Sequence, residues 1–311
     1  MQITMKNPVN TFVKSLLPPS LLEGFRVYRS LPRQVKKLQR QLLILAEHSA
    51  GKADGTGDDK AGGRSVINAH ELQVYSQNGE DGILQYIFSQ IGVTNRCFVE
   101  FGMGDGRECN TACLSLRSGW QGLLLDGNPS RVAQAQAFYD RMLGMDQQAV
   151  QILSAWVTRD NINDLIGASL KEREPDLLSI DMDGNDYWVW QALEIVQPRV
   201  VVIEYSAVLG WERRRTTPYD PSFVRWEKHP SGLYAGASLA ALAALGATKG
   251  YRLVGCNRHG VNAFFVRENE MTEALPEVIP EVAYYACDDL LLGAIGPERF
   301  SEIATMPFDD V

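Results

Sequence analysis

The sequence predicts an α/β fold: a mostly parallel sheet flanked by helices. Three observations carry this. Continuous apolar runs (Cys97 to Phe101, Gly122 to Leu125, Val150 to Val157, Asp176 to Ile180, Arg199 to Glu204) alternate with helix-patterned segments, as parallel strands buried on both faces do. Glycines 102, 104 and 106 alternate directly after the first run, where a strand must turn sharply into a helix. The chain then closes on two more apolar runs, Tyr251 to Cys256 and Ala263 to Arg267. They flank Asn257-Arg258-His259-Gly260, a hairpin signal that a plain dinucleotide-binding sheet lacks.

In chain order, residues 1–19 look irregular and close on Pro18-Pro19. From Ser20, which fits an N-cap, to about His48 the pattern is helical. Tyr28, Leu31, Val35, Leu38, Leu42 and Leu45 recur three and four apart, with Pro32 kinking or restarting the helix. Residues 1–47 hold eight of the 30 Lys/Arg but two of the 38 Asp/Glu, so 1–48 form a basic helical arm on an acidic body. Three readings of the arm stay open: a short coiled coil that makes a homo-oligomer, a basic helix lying peripherally on an anionic membrane surface, or a helix docked on its own domain. Residues 49–64 are rich in Gly, Asp and Ala without a bulky apolar side chain, and predict a flexible linker.

The main domain, 65–267, begins with a helix over Gly82 to Gln90. Helices over Arg131 to Met142, Ile162 to Leu170 and Tyr187 to Ile195 then separate the strands. The fourth strand runs into Asp181-Met182-Asp183-Gly184-Asn185-Asp186. A long segment, 205–233, precedes the helix Ser238 to Leu245 and the hairpin. Residues 268–311 read as an acidic tail with a helix around Ala283 to Leu292.

The totals exclude several classes. A hydrophobic content of 45% with 22% charged residues is that of a soluble globular protein, and no apolar run could span a bilayer. The N-terminus lacks the apolar core of a secretory leader, which points to the cytoplasm, with the inner membrane face as the place a basic arm would touch. Five cysteines without C-x-x-C spacing predict reduced thiols and no zinc. An acidic main domain repels phosphates and argues against a nucleic-acid partner.

The turn after the first strand reads E-x-G-x-G-x-G, not G-x-G-x-x-G, and contains Asp105. A carboxylate there suits a ligand with a cationic end better than a pyrophosphate. Asp126 lies about 20 residues on, where a carboxylate accepts hydrogen bonds from ribose hydroxyls. This pattern resembles motif I of the S-adenosylmethionine (SAM)-dependent methyltransferases. Further segments resemble FkbM-type methyltransferases over about residues 70–267: Ser76-Gln77-Asn78-Gly79-Glu80-Asp81, Phe98-Val99-Glu100-Phe101-Gly102, Ser179-Ile180-Asp181-Met182-Asp183-Gly184-Asn185-Asp186, Val202-Ile203-Glu204, and Gly250-Tyr251 with Asn262-Ala263-Phe264-Phe265-Val266. Ser206 departs from the family pattern, which has Asn after the Glu-Tyr of the fifth strand. The resemblance implies a Rossmann-like class I methyltransferase sheet of seven strands, six parallel and the last antiparallel. It also implies SAM-dependent O-methylation of a sugar, glycan or secondary-metabolite hydroxyl.

On that likeness, backbone at Gly102, Gly104 and Gly106 wraps the amino-acid end of SAM, with Glu100 or Asp105 near its ammonium. Asp126 holds the ribose, Ala155 and Trp156 flank the adenine, and Gln77 reaches the methionine carboxylate. Asp181 contacts SAM, or joins Asp183 and Glu204 as hard oxygen ligands for a divalent ion such as Mg²⁺. The general base is sought among Asp183, Glu204 and His229. His229 lies in the 205–233 segment with Trp211, Tyr219, Trp226 and Tyr234, a composition suited to a substrate lid. A plainer role for Gln77, Asn78, Glu80 and Asp81 is helix capping, and for Asp183, Asn185 and Asp186 the shaping of a helix start. Two other functions stay open: an NAD(P)-dependent oxidoreductase, disfavoured by the glycine spacing, and a non-catalytic module docking partners through its arm.

Overall fold

The structure is a computed structural model that describes residues 65–144, 149–289 and 292–311; the arm (1–48) and linker (49–64) lie outside the described residues. The elements in order are α1 (Glu80–Ile91), β1 (Cys97–Phe101), α2 (Ala112–Ser118), β2 (Gln121–Asp126), α3 (Pro129–Leu143), β3 (Val150–Ser154), α4 (Ile162–Ser169), β4 (Leu177–Ile180), α5 (Asp186–Ala192) and β5 (Val200–Glu204). A short strand β6 (Arg215–Thr216), α6 (Arg225–Lys228) and α7 (Leu239–Thr248) lead to β7 (Tyr251–Cys256) and β8 (Asn262–Arg267). After them come α8 (Pro280–Ala283), β9 (Cys287–Asp289), β10 (Gly293–Ile295) and β11 (Asp309–Asp310).

The main sheet runs β3-β2-β1-β4-β5-β8-β7. Strand β8 is antiparallel to both its neighbours, and the other six are parallel to one another. This is the class I methyltransferase arrangement of the Rossmann-like sheet. The apolar runs are continuous because both faces are covered. Val99, Phe101, Leu178, Ile180, Val201 and Ile203 face one core layer, while Phe98, Leu124, Leu177, Val200, Val202 and Phe264 face the other. Because β1 has β2 on one side and β4 on the other, the crossovers part here and leave a crevice at the strand ends. All five cysteines are free thiols.

Two elements stop short of the sequence expectation, and a third is replaced. Strand β3 ends at Ser154, not Val157: Ala155 N–H still donates to the Asp126 carbonyl (3.0 Å), but β2 has ended and offers nothing further to pair with. Helix α5 ends at Ala192, not Ile195, because Asn163 of α4 intercepts it. The Asn163 amide donates to the Ala192 carbonyl (2.8 Å), and its oxygen accepts from the N–H groups of Glu194 and Ile195. The helix expected over 283–292 is replaced by the antiparallel pair β9–β10, in which Cys287 faces Ile295 and Gly293 takes a left-handed φ of 72°. The 268–311 segment also joins the core of the domain. Ala283, Ile295 and Ile303 are buried in it, Tyr284 Oη donates to the Ala207 carbonyl, Tyr205 Oη donates to the Tyr285 carbonyl, and β11 pairs with β6.

Candidate functional site

A cleft of about 1190 Å³ opens at the carboxyl ends of β1, β2, β4 and β5. Ligand pockets commonly measure about 300–1,000 Å³, so this one has room for two small molecules side by side. The chain supplies its two halves from different segments.

The first half is built by the turn after β1, where the three glycines have three different reasons. Gly102 (φ 73°) donates its N–H to the Leu125 carbonyl (2.9 Å), and a Cβ there would overlap the Asp181 carbonyl oxygen. Gly104 (φ 61°) donates to Asp126 Oδ2 (3.0 Å) and faces open space, with nothing within 4 Å of where a Cβ would stand. Gly106 (φ 73°) lets α3 close in: a Cβ would come 2.9 Å from the Tyr139 ring. Asp126 is buried, and its Oδ1 accepts from Asn128 N–H (2.7 Å). Each carboxylate oxygen keeps a further acceptor position for a ligand hydroxyl. Trp156 lies across Gly127, half exposed (50%), with its indole N–H bonded to the Pro221 carbonyl (2.7 Å). Ala155 lines the same wall.

The two acids offered for a cationic group differ sharply. Glu100 is buried and accepts from Asn110 N–H (2.8 Å), Thr111 N–H (3.0 Å), Thr111 Oγ1 and Ser179 Oγ (3.1 Å). Burial pushes its pKa up, and the Thr111 hydroxyl and backbone N–H groups oppose the rise. Its acceptor positions are spent on anchoring the start of α2 and tying it to Ser179 of β4. Asp105 is left at the cleft surface, paired with Arg107 at 2.9 Å.

Gln77 is exposed on the cleft wall, while its neighbours serve the fold. Asp81 Oδ2 accepts from the N–H groups of Val74, Tyr75 and Ser76, which fixes the loop before α1. Glu80 Oε1 accepts from the amides of Asn257 and Asn262, tying α1 to the β7–β8 hairpin, and Oε2 accepts from Asn78 N–H. These residues hold a loop and a hairpin; none supplies a side-chain N-cap, the cap position being Gly79. An open glycine backbone, a carboxylate with spare acceptor positions and an exposed indole together fit SAM.

The second half lies beyond β4 and β5. Asp186 is buried and shapes the turn, accepting from Met182 N–H (2.8 Å) and Gly184 N–H (2.9 Å). Asp183 stands at a left-handed φ of 58° with its side chain 62% exposed. Asp181 and Glu204 line the same wall of the cleft as neighbouring acids. Burial first, and then neighbouring acids, hold Asp181 well above the usual carboxylate range. Burial likewise raises Glu204, to about 8, against the pull of the Arg225 guanidinium.

Arg225 of α6 is the functional residue that sequence reasoning missed. Its Nη1 donates to Asp183 Oδ1 (2.7 Å) and stands 3.6 Å from Glu204 Oε1, while Nε donates to the Gly232 carbonyl (2.6 Å). The only signal in the sequence was a basic residue between Phe223 and Trp226. The Asp181, Asp183 and Glu204 set does not fit a divalent ion in this arrangement. The guanidinium stands between two of the three, and among the described residues no group of three His, Cys, Asp or Glu side chains has the placement of a metal site.

Of the expected lid aromatics, only Trp226 reaches the cleft; it is 55% exposed and rests on Gly232. Phe223 joins it there, packed where a Gly184 Cβ would be. Trp211 packs on Tyr284 (ring centroids 4.7 Å apart), Tyr219 bonds Asp160 (2.6 Å), and Tyr234 bonds the Pro307 carbonyl. The structure does not bring His229 to the cleft: its Nδ1 bonds Ser231 Oγ (2.7 Å) just past α6. His229 is thereby removed from the candidates for general base. Ser206 lies off the cleft too, donating its N–H to the Ala237 carbonyl (2.8 Å).

Among the described residues no helix is long and apolar enough to cross a membrane. No family model matches the sequence, and no curated protein matches it. Solved structures do. The chain is similar to a SAM-dependent methyltransferase from Aquifex aeolicus, at 14% identity over 59% of this chain and 88% of that one, with a TM-score of 0.35. It is similar to a SAM-dependent methyltransferase from Geobacter sulfurreducens in complex with S-adenosyl-L-homocysteine (13% identity, 60% and 70% covered, TM-score 0.36). It is also similar to magnesium protoporphyrin IX methyltransferase from Synechocystis PCC 6803 with bound SAM (10% identity, 60% and 77% covered, TM-score 0.38).

Proposed function

We propose that the chain is a SAM-dependent O-methyltransferase whose acceptor is a hydroxyl of a sugar, glycan or secondary metabolite. One observation carries this reading: a single cleft joins a nucleoside-type half, built from Gly104, Asp126 and Trp156, to a half that presents two half-buried carboxyl groups, Asp181 and Glu204. When bound, SAM supplies an electrophilic methyl group on a cationic sulfur. The chain's own residues position the reactants and handle one proton. Gly102 to Asp105 and Asp126 orient the donor, Trp226 offers an aromatic face to the acceptor, and Glu204 takes the proton from the acceptor hydroxyl.

The charge of the acceptor half narrows the acceptor further. Arg225 is set against Asp183, so any ionisation of Asp181 or Glu204 makes the half negative, which complements a sulfonium and repels anions. The acceptor is therefore uncharged or cationic where it meets β5.

Calorimetric titration with SAM, S-adenosylhomocysteine and NAD tests the reading. The expected result is binding of both sulfur nucleosides and no signal with NAD. An NAD signal alone would favour an oxidoreductase, and silence with all three a non-catalytic module. Asp126→Ala should weaken S-adenosylhomocysteine binding by about 1–3 kcal/mol, the scale of lost hydrogen bonds to a charged group. Unchanged affinity would place the ribose elsewhere.

A further inference from the structure

Three carboxyl groups on one rim repel each other unless a proton or a cation intervenes, and hard oxygen ligands are what Mg²⁺ or Ca²⁺ take. In this protein a side chain reaches the rim. Arg225 comes from α6, far from β4 and β5 in sequence, and its guanidinium is gripped from three sides by the Gly232 carbonyl, Asp183 Oδ1 and Glu204. The side chain is only 22% exposed. The support behind it is firm: Trp226 lies on Gly232, Phe223 fills the space beside Gly184, and Lys228 pairs with Asp220. The segment carrying Arg225 cannot withdraw without unpacking these contacts.

We propose that Arg225 is the resident cation of the acceptor half, a positioning residue that occupies the place of a divalent metal ion and makes the site metal-independent. The proposal rests on the methyltransferase reading of the cleft for its meaning, but not for its test. A divalent ion bound between Asp183 and Glu204 would need about six oxygens at about 2.0–2.6 Å and would have to sit against a fixed positive charge. Guanidinium and metal therefore exclude each other. The arginine also does something a spherical ion does not: its directional donors fix Asp183 and the Gly232 carbonyl, which sets its charge 3.6 Å from Glu204 without tying up that carboxyl.

The test uses the full-length protein and Mn²⁺ as the probe, followed by electron paramagnetic resonance, with Arg225→Ala and Arg225→Lys beside the wild type. The wild type and Arg225→Lys are expected to bind no stoichiometric Mn²⁺. Arg225→Ala, with the rim emptied of its cation, should bind Mn²⁺ about tenfold more tightly or better, and Mg²⁺ should raise its melting temperature but not that of the wild type. S-adenosylhomocysteine affinity should be equal in all three, which shows that the cofactor half is intact. One equivalent of Mn²⁺ on the wild type would overturn the proposal, as would an Arg225→Ala protein with no more Mn²⁺ affinity than the wild type. A protein that fails to bind S-adenosylhomocysteine at all would sink the methyltransferase reading, while the Mn²⁺ titrations still decide what Arg225 does.

Discussion

Glu204→Gln is expected to slow methyl transfer by about 10²–10⁴-fold, the usual contribution of a general base, with S-adenosylhomocysteine affinity unchanged. Of the three candidates for the base, His229 is outside the cleft and Asp183 is 62% exposed and committed to Arg225. Glu204 ends β5 at the cleft, buried enough that its pKa rises to about 8, where a base is strong yet still available near neutral pH. The sign of the pH dependence follows. The ionised form does the work, so turnover should climb as pH rises toward about 8 and level off above it. The same shift predicts a stability trend. A carboxyl whose folded pKa lies above its unfolded value holds its proton more tightly in the folded protein. That contribution is complete below about 4.5 and is lost as pH rises through about 8. Gln is neutral throughout, so the variant should lose both the rise in turnover and this fall in melting temperature. Wild-type turnover in Glu204→Gln would transfer the role to Asp183.

Gly102→Ala should cost about 3 kcal/mol or more of stability and abolish S-adenosylhomocysteine binding. Two penalties combine here. The backbone sits at φ 73°, which a residue with a Cβ adopts only at a cost, and the added carbon would overlap the Asp181 carbonyl, forcing the ends of β1 and β4 apart. Both strands supply the cleft, so fold and site fail together. Gly104→Ala provides the contrast. It meets nothing within 4 Å and pays only for φ 61°, so it should keep most of its stability while crowding the cofactor half. Denaturant unfolding and calorimetry on the two variants separate these outcomes. A Gly102→Ala protein as stable as the wild type would show that β1 and β4 do not approach this closely.

The sequence by itself determined the sheet, its closing hairpin and the β1 turn. Each is written in a short stretch of chain: a run of apolar residues for a strand buried on both faces, alternating glycines for a turn that needs left-handed φ, an acid at the end of the next strand. Tertiary structure alone decided how the polar residues were shared out. Glu100 looked free to meet a ligand until Asn110, Thr111 and Ser179 came around it. The 283–292 segment had helical composition, but Cys287 to Asp289 pair instead with the stretch just beyond it, Gly293 to Ile295, whose Ile295 packs into the domain core. Arg225 has no spacing relation to Asp183 or Glu204; the three meet only because α6 folds back over the ends of β4 and β5. Periodicity and turn chemistry act between near neighbours in the chain and can be read there, whereas the neutralisation of a buried charge depends on whichever distant group the fold delivers.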